Sequence, residues 1–174
     1  MNIIFTSERL IVRQFTTEDY EQVYELNSDA EIMRYIFSGQ PHSRAEARVY
    51  LDKILAFYPK NAQFGVWALE LKASKDFVGL ACLRPYEATN EMELGYRLAK
   101  KYWGKGLATE VSTAILHYGF QTLNLPHIMA VVVKENQASR NVLEKIGMTH
   151  KGAGFYYESE LEYYEIDNPH LLAQ

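Results

Sequence analysis

The chain has 174 residues, of which 48% are hydrophobic and 23% are charged, a composition typical of one folded domain with a sizeable core. Its formal net charge of −4 argues against non-specific nucleic-acid binding, which requires a basic surface. No apolar run reaches the roughly 18 residues of a transmembrane helix, and the N-terminus lacks the basic flank of a signal peptide. Together with a single cysteine, Cys82, these features predict a single domain over residues 1–174 in the cytoplasm, with neither nucleic acid nor membrane as partner.

The first third of the chain predicts one strand followed by three helices. Residues 8–15 alternate apolar and polar side chains, as a half-buried strand does. The tandem threonines at 16–17 can cap the first helix, and a shorter second helix is expected over residues 30–37. The third helix has a capping box, residues 43–46, at its start and Pro59 at its end.

The rest of the chain alternates strands with two helices. The expected strands are residues 63–71, 76–83, 91–98 and 127–133, and two runs that form a hairpin within 149–166. The expected helices cover residues 106–122 and 136–146. This order predicts a mixed sheet with helices on both faces, in which helix 106–122 is a right-handed crossover if the strands that flank it are parallel.

A short stretch, KKYWGKGLATE at residues 100–110, has the features of an anion-binding loop. Gly104 and Gly106 permit a conformation in which successive N–H groups converge at a helix start, and three lysines add positive charge. The stretch is not a P-loop, because no Ser or Thr follows Lys105, and it is not a Rossmann loop, because Thr109 occupies the third glycine position. Glu110 is expected to point outward, away from a bound anion.

Two motifs carry a resemblance to a known family. The stretch YWGKGLATE, followed by NQASRNVLEKIGM at residues 136–148, resembles the signature motifs of the GNAT superfamily of acetyl-CoA-dependent N-acetyltransferases. SERLIVRQFTTED and EMELGYRL are similar to the branch that contains the bacterial ribosomal-protein N-terminal acetyltransferases. The resemblance implies an α/β (α+β) fold with a mixed, mostly antiparallel sheet, helices on both faces and a splayed parallel pair, strands 91–98 and 127–133.

The resemblance also implies where acetyl-CoA binds. Its pantetheine arm would pair with the backbone near Tyr96 to Leu98, and its pyrophosphate would lie on the amides of residues 101–109. The family pattern has Gln or Arg three residues before the first glycine, where this chain has Lys101, whose N–H can still donate. The residues expected to bind acetyl-CoA are Tyr96, Leu98, Lys101, Gly104, Lys105, Gly106, Ala108, Thr109, Asn136 and Ser139.

Acetyl transfer requires a neutral amine and therefore a base. Glu93, on the strand before the glycines, is the first candidate, and Glu91 on the same face is the second. A solvated role for Glu93 stays open, because antiparallel strands often expose one face. Many family members place a proton-donating Tyr where this chain has Leu143, and in the ribosomal-protein branch a Ser matching Ser139 takes that role. Ser139 can equally be an ordinary residue in the first turn of a helix capped by Asn136.

Other candidates have weaker signals. The five histidines lack metal-ligand spacing, so no metal is expected, and Cys82 is expected in the core. Trp103 is expected to brace the loop against the adjoining helix. Tyrosines of the C-terminal run can line an acceptor pocket or simply pack a sheet: Tyr156, Tyr157, Tyr163 and Tyr164.

The resulting prediction is an acyltransferase that moves an acetyl group from acetyl-CoA to a primary amine by direct attack in a ternary complex. The preferred acceptor is a peptide or protein N-terminal amine, by resemblance. A small amine such as a polyamine, amino acid or drug is the first alternative, and a non-catalytic acyl-CoA-binding sensor is the second. An exposed edge strand near the C-terminus would permit a homodimer.

Overall fold

A computed structural model describes residues 2–36, 39–86, 89, 91–169 and 171 of the chain. These residues form an eight-stranded sheet in the order β1-β2-β3-β4-β5-β6-β8-β7, antiparallel except for the parallel pair β5 and β6. The strands are β1 Ile3–Thr6, β2 Leu10–Arg13, β3 Gly65–Leu71, β4 Phe77–Pro85, β5 Met92–Leu98, β6 His127–Val132, β7 Thr149–Tyr156 and β8 Ser159–Asp167. The mixed, mostly antiparallel sheet that the motifs implied is confirmed.

Helices cover both faces of this sheet. They are α1 Tyr20–Ser28, α2 Ala30–Met33, α3 Arg44–Phe57, α4 Leu107–His117 and α5 Gln137–Lys145. Asn27 of α1 contacts Arg97 of β5, whereas Ser139 of α5 contacts Tyr96, the neighbouring residue on the opposite face. The segments α1 to α3 therefore lie over one face, and α4 and α5 lie over the other. No helix in the described part of the chain is long and apolar enough to cross a membrane.

The central strands are apolar because both of their faces are covered. Trp67 in β3 and Leu83 in β4 are fully buried, as are Ile128 and Met129 in β6. Val111 and Ile115 provide the buried stripe of α4 at helical spacing. After α4 the chain continues as a π-helical turn, Tyr118–Thr122, before it enters β6. This core fixes the positions of β5 and β6 relative to each other.

The parallel pair diverges soon after it meets. The register between β5 and β6 in the described residues consists of Glu93 opposite Met129. Beyond that position each strand keeps its antiparallel neighbour, β4 on one side and β8 on the other. The expected splayed pair is thus present, and the gap opens next to Glu93.

Two predictions about the N-terminal region are wrong. Residues 8–15 do not form the first strand, because the strand there covers only Leu10–Arg13 and pairs with an earlier strand, Ile3–Thr6. A turn in which the Ser7 N–H donates to the Leu10 carbonyl oxygen at 3.0 Å separates them. The helix expected over 30–37 is a single turn, Ala30–Met33, capped by Asp29, and Phe37 lies outside the described residues. The third helix keeps its predicted capping box between Ser43 and Glu46.

Candidate active site

The glycine loop, residues 101–106, joins the end of β5 to α4. Gly104 and Gly106 have φ values of 70° and 75°, the left-handed region that glycine adopts without strain. Gly106 is the N-cap of α4, and its position provides no side-chain acceptor for the first-turn amides. Those N–H groups are therefore oriented toward the space in front of the helix, where an anion is stabilised. Ala108 and Thr109 belong to the same first turn.

The three lysines of this region do not act together. Lys101 and Lys105 place their ammonium groups 5.0 and 5.5 Å from the centre of the Tyr102 ring. Lys100 turns away and pairs with Asp29 at 2.8 Å and Glu31 at 3.1 Å. The positive charge of the loop itself therefore comes from Lys101 and Lys105.

The prediction that Glu110 points outward is wrong. Its carboxylate accepts hydrogen bonds from the Ser7 hydroxyl at 2.6 Å, the Arg9 amide at 2.7 Å and the Arg9 Nε at 2.6 Å. Burial alone would raise the pKa of Glu110, but these donors outweigh it and hold the pKa below its ordinary value. The negative charge is thus neutralised by the turn between β1 and β2, and Arg9 also donates to the Lys105 carbonyl oxygen at 2.9 Å.

Trp103 fixes the loop to the strand that precedes it, and its expected contact with the adjoining helix stays a prediction. Its indole N–H donates to the Leu98 carbonyl oxygen at 2.8 Å, while 44% of the residue stays exposed. The Leu98 carbonyl is therefore already an acceptor. The assignment of Leu98 to the pantetheine arm stays a prediction.

A cavity of about 300 Å³ opens where β5 and β6 diverge, and we call it the central cavity. It extends from α2 and α3, over one face of β4 and β5, through the gap to the start of α5. Its lining includes Glu93, Gly95, Tyr96, Asn136 and Ser139, which the sequence had placed on separate elements. The central cavity therefore brings the predicted base and the predicted thiolate partner to one continuous space.

Glu93 is buried within this cavity wall, with 6% of its surface exposed, so it is not a solvated strand residue. Burial raises the pKa of its carboxyl group, and Arg84 and Tyr157 act against that shift. The Tyr157 phenol donates to Glu93 Oε2, and Arg84 Nη2 lies 3.4 Å from the same oxygen. A carboxylate whose pKa is raised above its ordinary value is better suited to accept a proton from an amine.

Arg84 and Tyr157 are functional candidates that the sequence did not single out for Glu93. Arg84 stands directly opposite Glu93 in the β4 and β5 pairing, and its Nη2 is 3.2 Å from the Tyr157 phenol oxygen. Tyr157 lies in the turn between β7 and β8 with a φ of 49°, and Glu158 follows with 60°. Such a turn with two left-handed residues matches the twist of a hairpin but is strained for residues other than glycine. The register of the β4 and β5 hairpin is the signal in the sequence that could have revealed Arg84.

None of the four C-terminal tyrosines lines the central cavity, although the Tyr157 phenol bonds to Glu93 in its wall. Tyr156 stacks on Tyr163 with ring centres 5.6 Å apart, and the Tyr163 phenol donates to Glu91 at 3.0 Å. Tyr164 is fully buried. Glu91, the second candidate for the base, is therefore engaged outside the cavity wall that holds Glu93.

Ser139 makes two distinct contacts near the start of α5. Its backbone N–H donates to the Asn136 side chain at 3.2 Å, which is the helix cap. Its hydroxyl oxygen lies 3.0 Å from the Tyr96 phenol oxygen. The capping role thus belongs to the backbone of Ser139, and the side chain is left for another function beside the cavity. Leu143, where the resemblance implied that many family members have a tyrosine, is buried and apolar.

Cys82 and His42 also border the central cavity. Burial raises the pKa of the Cys82 thiol to about 11, so it is uncharged at neutral pH and a poor nucleophile. Burial and the nearby Arg97 lower the pKa of His42. Among the described residues, no group of three or more His, Cys, Asp or Glu side chains is placed to hold a metal ion. His170 lies outside them.

Comparison with known proteins assigns the chain to a family. Residues 9–149 match the acetyltransferase (GNAT) domain. YnaD, an uncharacterized N-acetyltransferase of Bacillus subtilis, is 32% identical over 147 residues, which cover 84% of this chain and 83% of that protein. A GNAT-family acetyltransferase structure from Bacillus anthracis superposes with a TM-score of 0.81 at 30% identity, covering 97% of this chain and 99% of that chain. The chain belongs to the GNAT acetyltransferase family.

Within that family the chain is an acetyl-CoA-dependent N-acetyltransferase, as the two motifs had implied. Proteins similar to this chain or sharing its fold are named for different acceptors. The spermidine N(1)-acetyltransferase of Escherichia coli K12 is 28% identical over 142 residues, covering 81% of this chain and 73% of that protein. A ribosomal-protein-S5-alanine acetyltransferase structure from Vibrio fischeri shares the fold at 18% identity, with a TM-score of 0.71 over 95% of this chain and 96% of that chain.

Proposed function

We propose that the chain transfers an acetyl group from acetyl-CoA directly to the α-amine of a peptide or protein, with Glu93 as the base. The observation that carries the proposal is the central cavity, which joins Glu93 to Ser139 without an intervening wall. A single cavity that borders both residues would let donor and acceptor meet, so no covalent intermediate on the protein is needed.

The proposed site for acetyl-CoA combines the glycine loop with the gap between β5 and β6. The pyrophosphate would bind the first-turn amides of α4 and the ammonium groups of Lys101 and Lys105. The pantetheine arm would enter the gap beside Tyr96 and Asn136, both of which line the central cavity. This arrangement directs the thioester toward Ser139 and the base toward the opposite side.

The transfer needs one proton removed and one supplied. The neutral acceptor amine attacks the thioester carbonyl carbon, and Glu93 accepts the proton that the nitrogen loses as the nitrogen–carbon bond forms. The carbon–sulfur bond breaks, and the CoA thiolate is stabilised by the Ser139 hydroxyl, itself hydrogen-bonded to Tyr96. A serine hydroxyl is a weak acid, so hydrogen bonding to the sulfur is its main contribution, and the thiolate gains its proton through this pair or from solvent.

An α-amine suits this site better than a lysine side chain. An unperturbed α-amine has a pKa near 8, whereas a lysine amine has one near 10.4, so the α-amine is far more often neutral at pH 7. Arg84 and Arg97 both line the central cavity, and their positive charges further favour the neutral amine. A polyamine, the acceptor of the spermidine acetyltransferase relative, is the second candidate.

The test combines binding with turnover. Acetyl-CoA at 100 times its Kd should stabilise the fold by about 2.7 kcal/mol, which for a chain of this size raises Tm by roughly 5–10 °C. Free CoA should then appear with peptides that have an unblocked N-terminus and not with the same peptides after N-acetylation. Stabilisation without turnover on peptides, polyamines or aminoglycosides would favour the sensor alternative, and the absence of any Tm shift would refute the assignment of acetyl-CoA.

A further inference from the structure

Two arginines, Arg84 and Arg97, line the part of the central cavity that is proposed to hold the acceptor. Arg84 on β4 lies opposite Glu93 on β5, and further along the two strands Cys82 lies opposite Gly95. Arg97, two residues beyond Gly95, is on the same face of β5 because side chains alternate along a strand. The Cys82 and Gly95 pair therefore forms a floor with a guanidinium group on either side.

The charges around this floor do not balance. Glu93 is the one acidic side chain among the described residues that line the central cavity, and Arg84 already lies 3.4 Å from it. Arg97 donates to the Asn27 side-chain oxygen, and no carboxylate of the described residues is placed to pair with it. Its Nε is buried and has no hydrogen-bond partner in the same part of the structure. A half-buried cation without a counter-charge is unfavourable unless a ligand supplies one.

The other titratable groups facing the floor are uncharged at neutral pH. Burial raises the pKa of Tyr50 and of Cys82, and burial together with Arg97 lowers the pKa of His42. Gly95 keeps the floor open, since a Cβ there would lie only 3.1 Å from the Cys82 sulfur. The net charge facing the floor is therefore positive, from Arg84 and Arg97 against Glu93.

We propose that the acceptor carries a carboxylate in addition to its amine, and that this carboxylate binds between Arg84 and Arg97 above Cys82 and Gly95. The floor lies two strand positions from Glu93, about 7 Å away. An amino acid whose amine lies near Glu93 can therefore place its carboxylate within reach of the two arginine side chains. The inference rests on the proposed transfer to an amine and narrows its substrate. The α-carboxylate of a free amino acid and the side-chain carboxylate of an acidic N-terminal residue present the same chemistry.

The same charges disfavour a polyamine. Spermidine would bring further positive charges to a cavity that already has more cationic than anionic groups, and like charges in a partly desolvated site repel strongly. A carboxylate-bearing acceptor instead offsets the charge of Arg97 and leaves Glu93 free to take the proton of the amine.

The transfer experiment uses acceptor pairs in which a carboxylate is exchanged for its amide, and kcat/KM is expressed per neutral amine because the exchange also changes the pKa of the amine. Free CoA release is measured with phenylalanine against phenylalaninamide, and with an aspartyl against an asparaginyl tripeptide amide, with spermidine alongside. In at least one pair, kcat/KM should be about tenfold to a hundredfold higher for the carboxylate, the range of a charge-assisted hydrogen bond. The first pair identifies a free amino acid, and the second identifies an acidic peptide N-terminus. Equal rates within both pairs, or a preference for spermidine, would overturn the inference.

Variants of Arg97 separate recognition from folding. Arg97→Gln should reduce the preference within the responding pair to about twofold or less, and Arg97→Lys should restore part of it. Arg48→Gln, the same change at an exposed position on α3, should keep the full preference. Tm is measured for each variant so that a ratio is compared only among folded proteins. An unchanged preference in folded Arg97→Gln would refute the role of Arg97.

A binding experiment separates this inference from the proposed reaction. N-acetylphenylalanine and the N-acetylated aspartyl peptide are products that bind without chemistry, and their Kd values are measured by calorimetry with CoA present. If they bind wild type at least about tenfold more tightly than Arg97→Gln while no acceptor is acetylated, the carboxylate site is supported and the proposed reaction is refuted. If amines are acetylated without any preference for a carboxylate, the proposed reaction is supported and the carboxylate site is refuted. Absence of both results would overturn both.

Discussion

The Tyr96 phenol and the Ser139 hydroxyl lie 3.0 Å apart, although the two residues are 43 positions apart in the chain. Burial raises the pKa of Tyr96, so its phenol stays protonated at neutral pH and can donate. The pair spans the gap between β5 and α5, at the place where a leaving thiolate would be released. This contact assigns the Ser139 side chain a partner that is unrelated to the helix cap.

Replacing either hydroxyl should slow the transfer step. We expect Ser139→Ala to lower kcat about tenfold, because a hydrogen bond to a charged group contributes roughly 1.5 kcal/mol. Tyr96→Phe should have a smaller effect, and the double variant should lose less than the sum, since the two groups act as a unit. The Asn136 cap survives in Ser139→Ala because it uses the backbone N–H. A kcat equal to wild type would show that Ser139 has no role in the thiolate step.

Glu93→Gln should lower kcat by about 10²- to 10⁴-fold, the usual contribution of a general base. The affinity for acetyl-CoA should stay within about twofold, as calorimetry can check, because Glu93 lies on the side of the acceptor. Glu91→Gln is the matched control, on the same strand face but bonded to Tyr163 outside the cavity wall. Strong loss in Glu91→Gln with little in Glu93→Gln would reverse the assignment.

The pH dependence of turnover should report Glu93. Activity requires the carboxylate, so kcat/KM falls as the pH drops through a pKa that burial holds above the ordinary glutamate value. The Tyr157 phenol stabilises the charged form, and Tyr157→Phe should therefore raise this pKa and move the acidic limb to higher pH. Tyr163→Phe, which removes a donor to Glu91, should leave the limb in place. The titration of the acceptor amine affects the profiles of wild type, Tyr157→Phe and Tyr163→Phe equally. An acidic limb that stays in place or moves to lower pH in Tyr157→Phe would contradict the proposed contact.

Gly106→Ala should weaken acetyl-CoA binding by at least about tenfold. A Cβ at Gly106 meets no atom closer than 3.6 Å, so the effect would come from its φ of 75°, where an alanine is strained by roughly 1–2 kcal/mol. Relief of that strain would turn the first-turn amides of α4 away from the anion. Gly152→Ala on β7 carries similar backbone strain, with a φ of 108° and no nearby atom, and serves as the control. Equal affinity in both variants would argue against the glycine loop as the pyrophosphate site.

Stability at low pH should depend on a buried ion-pair group remote from the site. Arg13 lies 2.7 Å from both Asp19 and Glu70, with 7–8% of each side chain exposed. Burial alone would raise the pKa of Asp19, but Arg13 and Thr16 hold it below its ordinary value. Asp19 thus stabilises the fold above about pH 4, and that contribution is lost as the pH falls through its lowered pKa.

Arg13→Met should cost about 3–5 kcal/mol in urea unfolding, because it removes the positive charge that pairs with two buried carboxylates. Arg44→Met removes an exposed pair with Glu21 and should change the free energy of unfolding little. Similar urea midpoints for Arg13→Met and wild type would show that the buried group does not stabilise the fold.

Local patterns predicted most elements but not the contacts between distant ones. The hydrophobic periodicity of β5 and α4 and the cap at Asn136 gave elements that the structure contains, because these signals lie within a few residues. The first strand was misjudged because β1 is only four residues long and carries exposed ends. The hydrogen bonds of Glu110 could not be predicted, since its partner Arg9 lies 101 residues earlier in the chain.

The candidate site was predictable only as a set of separate residues. Glu93 and Ser139 were identified from their motifs, but the burial of Glu93 depends on Arg84 across the sheet and on Tyr157, 64 residues later. Arg97 lies on the same face of β5 as Glu93 because side chains alternate along a strand. The absence of a counter-charge among the described residues could not be predicted, because the partner of Arg97 is a neutral amide, Asn27, on the distant helix α1.

Strand β8 lies between β6 and β7 in the sheet, although it follows both in the chain. During synthesis on the ribosome, β7 emerges first but has no neighbour in the sheet until β8 pairs with β6. Tyr157, in the turn between them, can therefore reach Glu93 only after β8 has been made. A nascent chain halted before the turn that holds Tyr157 would already contain the glycine loop and α4 but would lack the phenol that lowers the pKa of Glu93, so the surroundings of the base are completed last.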